Sequence, residues 1–231
     1  MGMYYLKLKQ QSSSFVTSTS NNPWFNLAIE EFLVENVKDD EIILYLWQNK
    51  DTIVIGSNQN PWKECNVKEI KNDGIKLARR LSGGGAVYHD SGNLNFTFIM
   101  GKELYDLEKQ LGVILRSVNS FGFNGKFSGR NDMEIDGKKF SGNAYYFGDC
   151  STYHHGTILV NASLSKLSKY LTPSKQKIVS KGVDSVKSRV VNLRSINSDI
   201  SIEKIKVEII KSFQECYGKF LKTNIFTEGM I

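Results

Sequence analysis

"RRLSGGGAVYHDSGNLNFTFIMG", residues 79–101, holds the most informative pattern in this chain. Two arginines run into three consecutive glycines, and a β-prone, partly alternating segment follows. A flexible turn needs fewer glycines than this, and each costs roughly 0.5–1 kcal/mol against alanine in ordered structure. Close approach of a ligand to bare backbone is the usual compensation. Arg79 and Arg80 sit on the strand just before the run, where a guanidinium fork matches phosphate or carboxylate geometry. Ser82 and His89 bracket it with further polar groups. The stretch points to an anion lying over exposed amides on a strand–loop–strand unit. It is not a Walker loop, because no Gly-Lys-Ser/Thr follows. It is not a dinucleotide fingerprint either, because the GxGxxG spacing and the following helix are both missing.

Outward from this stretch, strands and helices mix without a steady β-α-β alternation. Upstream, "MYYLKLKQ" alternates as an opening strand does. Residues 20–37 switch to a helical period, with Asn22 as cap, Pro23 in the first turn and Leu27, Ile29, Phe32 and Leu33 as the apolar face. "EIILYLWQN" and "DTIVIGS" are β-rich runs separated by a short polar turn, which predicts a hairpin. Residues 64–74 form a short helix, and "IKLARRLS", "GAVYHD" and "NLNFTFIM" are three strands with the glycines as the joint between the first two. A long helix ends at Gly122, then "DMEID", "KKFSGNAYYF" and "STYHHGTILVN" follow as strands, with Asp136-Gly137 as a tight turn. "ASLSKLSKYL" and "SIEKIKVEIIKSFQECYGKF" are helical, the stretch between them is polar and irregular, and the tail "LKTNIFTEGMI" is too short to be a domain. The expected fold is α/β of the α+β type, a mixed sheet flanked by helices.

Composition narrows the function classes. With 40% hydrophobic residues in 231, the chain buries a substantial core. A net charge of +6 favours an anionic ligand or an acidic partner, but no basic run marks nucleic acid. Cys65, Cys150 and Cys216 are odd in number and irregularly spaced, which fits reduced thiols in a cytoplasmic protein. No apolar stretch reaches membrane-spanning length, and the N-terminus lacks a signal-peptide pattern.

A second polar cluster occupies residues 128–159. Lys138 and Lys139 open a strand, so alternation sends them to opposite faces, and Lys139 shares its face with Ser141. A lysine facing a pocket beside an anion-binding loop acts as an electrostatic clamp or a catalytic group; a solvated Lys-Lys pair after a turn is the plainer alternative. His154 and His155 place one imidazole on each face. Neither has a third ligand at zinc spacing, so both fit structural histidines better than metal ligands.

Taken together, "PWFNLAIEEFL", "LWQNKDTIVIGSNQNPWKECN", "LARRLSGGGAVYHDSGNLNFTF", "SGRNDMEIDGKKFSGNAYY", "HHGTILVNASLSKLSKYL" and "SKGVDSVKSRVVNL" closely resemble the lipoate–protein ligase A family, of the biotin/lipoyl ligase superfamily. The resemblance runs from Tyr4 to about Phe220. It implies a biotin/lipoyl ligase catalytic-domain fold over residues 1–231. It also implies a two-step reaction: (R)-lipoate and Mg-ATP (ATP with Mg2+) give lipoyl-AMP, and a lysine of an acceptor protein then takes the acyl group. The acceptors implied are apo lipoyl domains of 2-oxoacid dehydrogenases and glycine-cleavage H protein, with no nucleic acid and no membrane involved.

By the same resemblance Lys139 is the catalytic lysine, touching both the lipoyl carbonyl and the α-phosphate. Arg80, Gly85, Ala86, Val87, Tyr88, Asn131 and Asp132 line the adenylate. Lys181 and Gly182 belong to a loop that folds over the nucleotide. Trp47, Ser82, Gly83, Gly84, His89, Ser141 and His155 line the lipoate pocket. The family's small C-terminal domain has no counterpart before Ile231; either a separate C-terminal accessory polypeptide supplies it, or it was removed, or this chain works without it. Two rivals stand beside this: a cysteine-dependent octanoyl or lipoyl transferase using Cys150, and a binding or transferase half that leaves adenylation to a partner. Biotin ligation fits the motifs less well.

Overall fold

Glu41–Trp47 is apolar at nearly every position, as a strand covered on both faces must be. It forms part of a computed structural model that describes residues 11–129, 131–172 and 190–229. The run expected as an opening strand lies outside the described residues. In chain order the strands are β1 (Ser12–Ser18), β2 (Glu41–Trp47), β3 (Thr52–Ile55), β4 (Lys76–Arg79), β5 (Val87–His89), β6 (Asn93–Gly101), β7 (Lys126–Ser128), β8 (Asp132–Ile135), β9 (Lys138–Phe147), β10 (Ser151–Leu159) and β11 (Lys222–Phe226). The helices are α1 (Pro23–Asn36), α2 (Pro61–Glu64), α3 (Val67–Asn72), α4 (Leu107–Asn119), α5 (Leu164–Tyr170), α6 (Leu193–Ile196) and α7 (Ile202–Tyr217).

Eight strands form one mixed sheet in the order β11-β1-β2-β6-β10-β9-β8-β7, and β4-β3-β5 form a second. One face of the large sheet carries Ile42, Leu44, Leu46, Phe96 and Phe98, packed under the buried sides of α4 and α7. Both helices start at side-chain caps, Asp106 and Ser201. The opposite face is split. α1 covers the end formed by Ile43, Tyr45, Ile99 and Tyr153. The other end, where Trp47, Asn95, Thr157 and Gly142 pair in a row across four strands, faces a cavity.

Two expectations change. β2 and β3 do not form a hairpin, because they belong to different sheets and β3 pairs with β4 and β5. The link between them turns at Asp51 with φ 48° and delivers the chain to the second layer. The buried side of α1 is rotated from the apolar reading: Phe32 is more than half exposed, while Asn26, Ile29, Glu30 and Leu33 face inward at helical spacing. Asn26 is admitted because its amide donates to Ser20 O, Gln48 O and Asn49 Oδ1. The tail, too short to be a domain, adds its residues 222–226 to the large sheet as β11, parallel to β1.

Candidate active site

β4 and β5 flank β3, and the glycine run bridges them over the exposed end of the large sheet. The bridge is held from within. Arg80, only 6% exposed, donates through Nε to Ser82 Oγ at 2.9 Å and through Nη2 to the carbonyls of Gly83 and Gly85, each at 2.8 Å. Its Nη1 reaches Val54 O at 3.2 Å. Arg79 points the other way and holds the 56–59 turn through the carbonyls of Gly56, Ser57 and Gln59. Both forks therefore fasten backbone carbonyls, where the sequence suggested that they clamp an anion. Burial lowers the Arg80 pKa, but a guanidinium stays charged across the physiological range.

The glycines are not equivalent. Gly84 has φ 96°, and a Cβ there would lie 2.9 Å from Arg80 Nη2. Its carbonyl also packs against Gly56, where a Cβ would approach to 2.5 Å. At Gly83 and Gly85 an added Cβ meets nothing within 4 Å. The protein itself needs glycine at 84 and 56; the open space beside 85 belongs to the cavity.

That cavity, about 250 Å³, runs between the glycine loop and the sheet. Trp47, Leu27 and Val54 line an apolar part. Gly84, Gly85, Ala86 and Val87 present backbone along one wall. Lys139, Asp132, Asn131 and Asn143 gather on the β8 and β9 side. Lys139 Nζ lies 2.6 Å from Asp132 Oδ1 and sits directly over Gly142, where a Cβ would be 2.8 Å from it. Lys138 is exposed and is not part of the lining.

Ser141 behaves differently from the alternation argument. A bulge opposite Met133 and Glu134 lets Phe140 intrude as an extra residue, and Ser141 then pairs with Met133 and Ile158, both in the large core. Ser141 is fully buried outside the cavity lining, and its hydroxyl finds no partner among the described residues. Ser82, Gly83 and Tyr88 also fall outside the lining, Ser82 and Tyr88 buried and Gly83 exposed. The Tyr88 ring packs with Tyr170 and its hydroxyl donates to Asp51 at 2.9 Å, leaving its backbone nearest the loop. Lys181 and Gly182 lie outside the described residues.

His89 and His155 both reach the cavity. His89 Nδ1 takes the Asn49 amide at 3.2 Å, and burial beside Arg80 and His155 holds its pKa down at about 3. His155 lies between Ser82 and Glu30. Trp47 donates from its indole to Thr97 at 3.1 Å and stacks on Tyr45. Glu30, Asn95 and Tyr153 join this neighbourhood, though none of them was singled out as a site residue. The Glu30 signal, a carboxylate on the inward stripe of a helix, is visible once the helix face is placed correctly.

The arrangement joins an apolar slot, a backbone wall and a cation in one cleft. It can hold an acyl chain whose carboxyl end meets an anion beside Lys139. Among the described residues no three His, Cys, Asp or Glu side chains are grouped to hold a metal, and no helix is long and apolar enough to cross a membrane.

The model of the lipoyl protein ligase A/B catalytic domain matches residues 22–214, and the chain belongs to that family. It is 45% identical over 200 residues to the lipoate-protein ligase A of Psychrobacter cryohalolentis, covering 87% of this chain and 59% of the relative. The chain thus spans somewhat over half the length of that relative. Among solved structures, the bipartite lipoate protein ligase of Thermoplasma acidophilum, described with its E2 lipoyl domain, aligns at TM-score 0.83 and 28% identity over 94% of this chain and 88% of that one. A lipoate-protein ligase A bound with ATP aligns at TM-score 0.80 and 25% identity, over 94% and 90% respectively.

Proposed function

We propose that this chain attaches lipoate to a lysine of an acceptor protein at the expense of ATP. The observation that carries this reading is the position of Lys139, over Gly142 in the same cleft as the open glycine-loop backbone and the Trp47 slot. In the first step a lipoate carboxylate oxygen attacks the α-phosphorus, the bond to the β-phosphate oxygen breaks, and pyrophosphate leaves. In the second, a neutral lysine amine attacks the acyl carbonyl, the bond to AMP breaks, and a proton passes from the nitrogen to solvent. Lys139 stabilises negative charge on the phosphate and on the carbonyl oxygen in both steps.

The lipoyl chain lies along Trp47 toward His155, and the adenylate follows Gly85 to Tyr88, with Asn131 and Asp132 beside it. Arg80 acts through the loop it folds. Among the described residues Asp132 is the one carboxylate lining the cavity and Lys139 already pairs with it, so Mg2+, which would offset triphosphate charge, would have Asp132 as its one protein carboxylate there. Acceptors are apo lipoyl domains and glycine-cleavage H protein, encountered in the cytoplasm. The likeness to a bipartite ligase favours a second version, in which this chain transfers from lipoyl-AMP and a separate C-terminal polypeptide is needed for adenylation.

Apo H protein incubated once with lipoate plus Mg-ATP and once with preformed lipoyl-AMP tests both. Product in both reactions is the expected result for a complete ligase. Product only from lipoyl-AMP selects the two-part version, and product from an octanoylated carrier protein with no nucleotide present overturns the ligase reading in favour of a transferase.

A further inference from the structure

Glu30 lies on α1 and is 2% exposed, yet it gathers polar contacts from two other elements, β6 and β10. Thr97 Oγ1 donates to its Oε1 at 2.7 Å, and His155 Nδ1 lies 2.8 Å from the same oxygen. Across the imidazole, Nε2 is 2.8 Å from Ser82 Oγ, which receives Arg80 Nε at 2.9 Å. One fixed donor sets the sense of every bond. Arg80 only donates, so Ser82 keeps its own hydrogen for another partner. His155 Nε2 at 2.8 Å is a better acceptor than Gly83 O at 3.4 Å. An accepting Nε2 leaves the ring proton on Nδ1, aimed at Glu30. The chain runs one way, from a buried cation through Ser82 and His155 to a buried anion.

A second branch ends on the same carboxylate. The Thr97 hydroxyl gives its hydrogen to Glu30, so it accepts from the Trp47 indole at 3.1 Å. Trp47 is the wall of the apolar slot, and Arg80 holds the carbonyls that shape the glycine loop. Packing alone favours an aliphatic residue at such a site, because a buried carboxylate must recover the hydration it loses.

We propose that Glu30 is a positioning residue that orients both walls of the cavity, the indole through Thr97 and the glycine loop through His155, Ser82 and Arg80. The ligand named in its test rests on the ligase reading; the coupling of the two walls does not. Ser82 is the pivot of the loop branch, since its amide donates to Tyr153 and its carbonyl accepts from Ser57.

The test compares Glu30→Leu, Glu30→Gln and Ser82→Ala in the free protein by hydrogen exchange, followed by NMR at the Ser57 amide and the Trp47 indole. Calorimetry with lipoyl-AMP runs in parallel. Leucine keeps the volume and removes the acceptor; glutamine keeps an oxygen that accepts both bonds. Glu30→Leu is expected to speed exchange at both sites about tenfold, leave the α4 amides unchanged, and weaken lipoyl-AMP binding by a similar factor. Glu30→Gln is expected to recover most of that loss. Wild-type exchange in Glu30→Leu overturns the proposal, and so does acceleration spread evenly through α4, which marks ordinary destabilisation. If Glu30→Leu does not fold, Ser82→Ala decides: faster Ser57 exchange with unchanged Trp47 indole exchange supports two branches, and unchanged Ser57 exchange overturns them. Absence of lipoyl-AMP binding by the wild-type chain removes the ligase reading and leaves the exchange result to stand by itself.

Discussion

His154 and His155 are neighbours on β10, and the sheet gives them opposite surroundings. His154 faces α4 and α7. It lies between the Gln110 and Asn143 amides, with its ring centroid 5.7 Å from that of Phe98, and burial holds its pKa near 3. His155 faces the cavity, and its two nitrogens join Ser82 to Glu30. On the first face the polar groups close on one another inside the core, so they contribute to stability. On the second they form a directed chain whose far ends shape the glycine loop and the indole. One sheet keeps stability and chemistry on separate sides, and substitutions should separate them too.

The largest effect is expected at Lys139. Lys139→Ala should slow product formation by two orders of magnitude or more, about 3 kcal/mol of lost charge stabilisation, without moving the melting temperature. Lys138→Ala, one residue away and exposed, should stay near wild type in the same acceptor assay. Equal losses from both would break the division between faces.

Gly85→Val comes next. An added Cβ there meets no protein atom within 4 Å, so the variant should fold and still obstruct the cleft. Lipoyl-AMP affinity by calorimetry should fall about tenfold or more, while the melting curve stays within a few degrees. Gly84 is a poorer choice, because its positive φ and the nearby Arg80 fork mix strain with obstruction.

Acid sensitivity sharpens the comparison from the stability side. His89 and His154 are held near pKa 3 in the folded chain, against about 6.5 when unfolded. Between those values the unfolded chain binds more protons, so stability falls as pH drops from about 6.5 toward 3 and gains nothing from these groups above that window. Denaturant titrations at neutral and mildly acidic pH should show this slope. His154→Leu should flatten it and cost about 1–3 kcal/mol at neutral pH for the amides left unpaired. Ligand affinity of the folded variant should shift only slightly, because His154 lies behind the sheet and reaches the cavity lining through Asn143. The smallest effect is expected at Cys150, which is exposed in a separate hollow with Asp39, Asp40 and Asp149. Cys150→Ser should keep product formation within about threefold, and a dead variant would restore the thiol mechanism.

Much of the cavity was legible in the sequence. The glycine run, Lys139 and His89 were marked by backbone and polar pattern, Trp47 and His155 by the family resemblance, and all of these stretches meet in one cleft. The misses have physical causes. Glu30 and Asn26 looked like the polar side of an amphipathic helix, since hydropathy does not register a satisfied buried group. β2 and β3 looked like a hairpin because propensity and turn residues are the same whether the next strand joins the same sheet or another. The bulge at Phe140 moved Ser141 to the opposite face, and period-two counting has no means of sensing one extra residue. Gly56 gave no signal because its reason for being glycine is the carbonyl of Gly84, far away in sequence.

β11 lies beside β1 in parallel, with Ser14 opposite Lys222 and Ser18 opposite Phe226. These partners stand roughly 200 residues apart, so their pairing closes one of the longest loops in the chain. On a ribosome, β1 and β2 emerge with α1 between them, while the strand that seals the outer side of β1 follows roughly 200 residues later. Throughout that interval β1 presents an unpaired row of amides and carbonyls to its surroundings. The vulnerable period of this protein therefore comes during its synthesis, and slower translation lengthens it however stable the finished fold is.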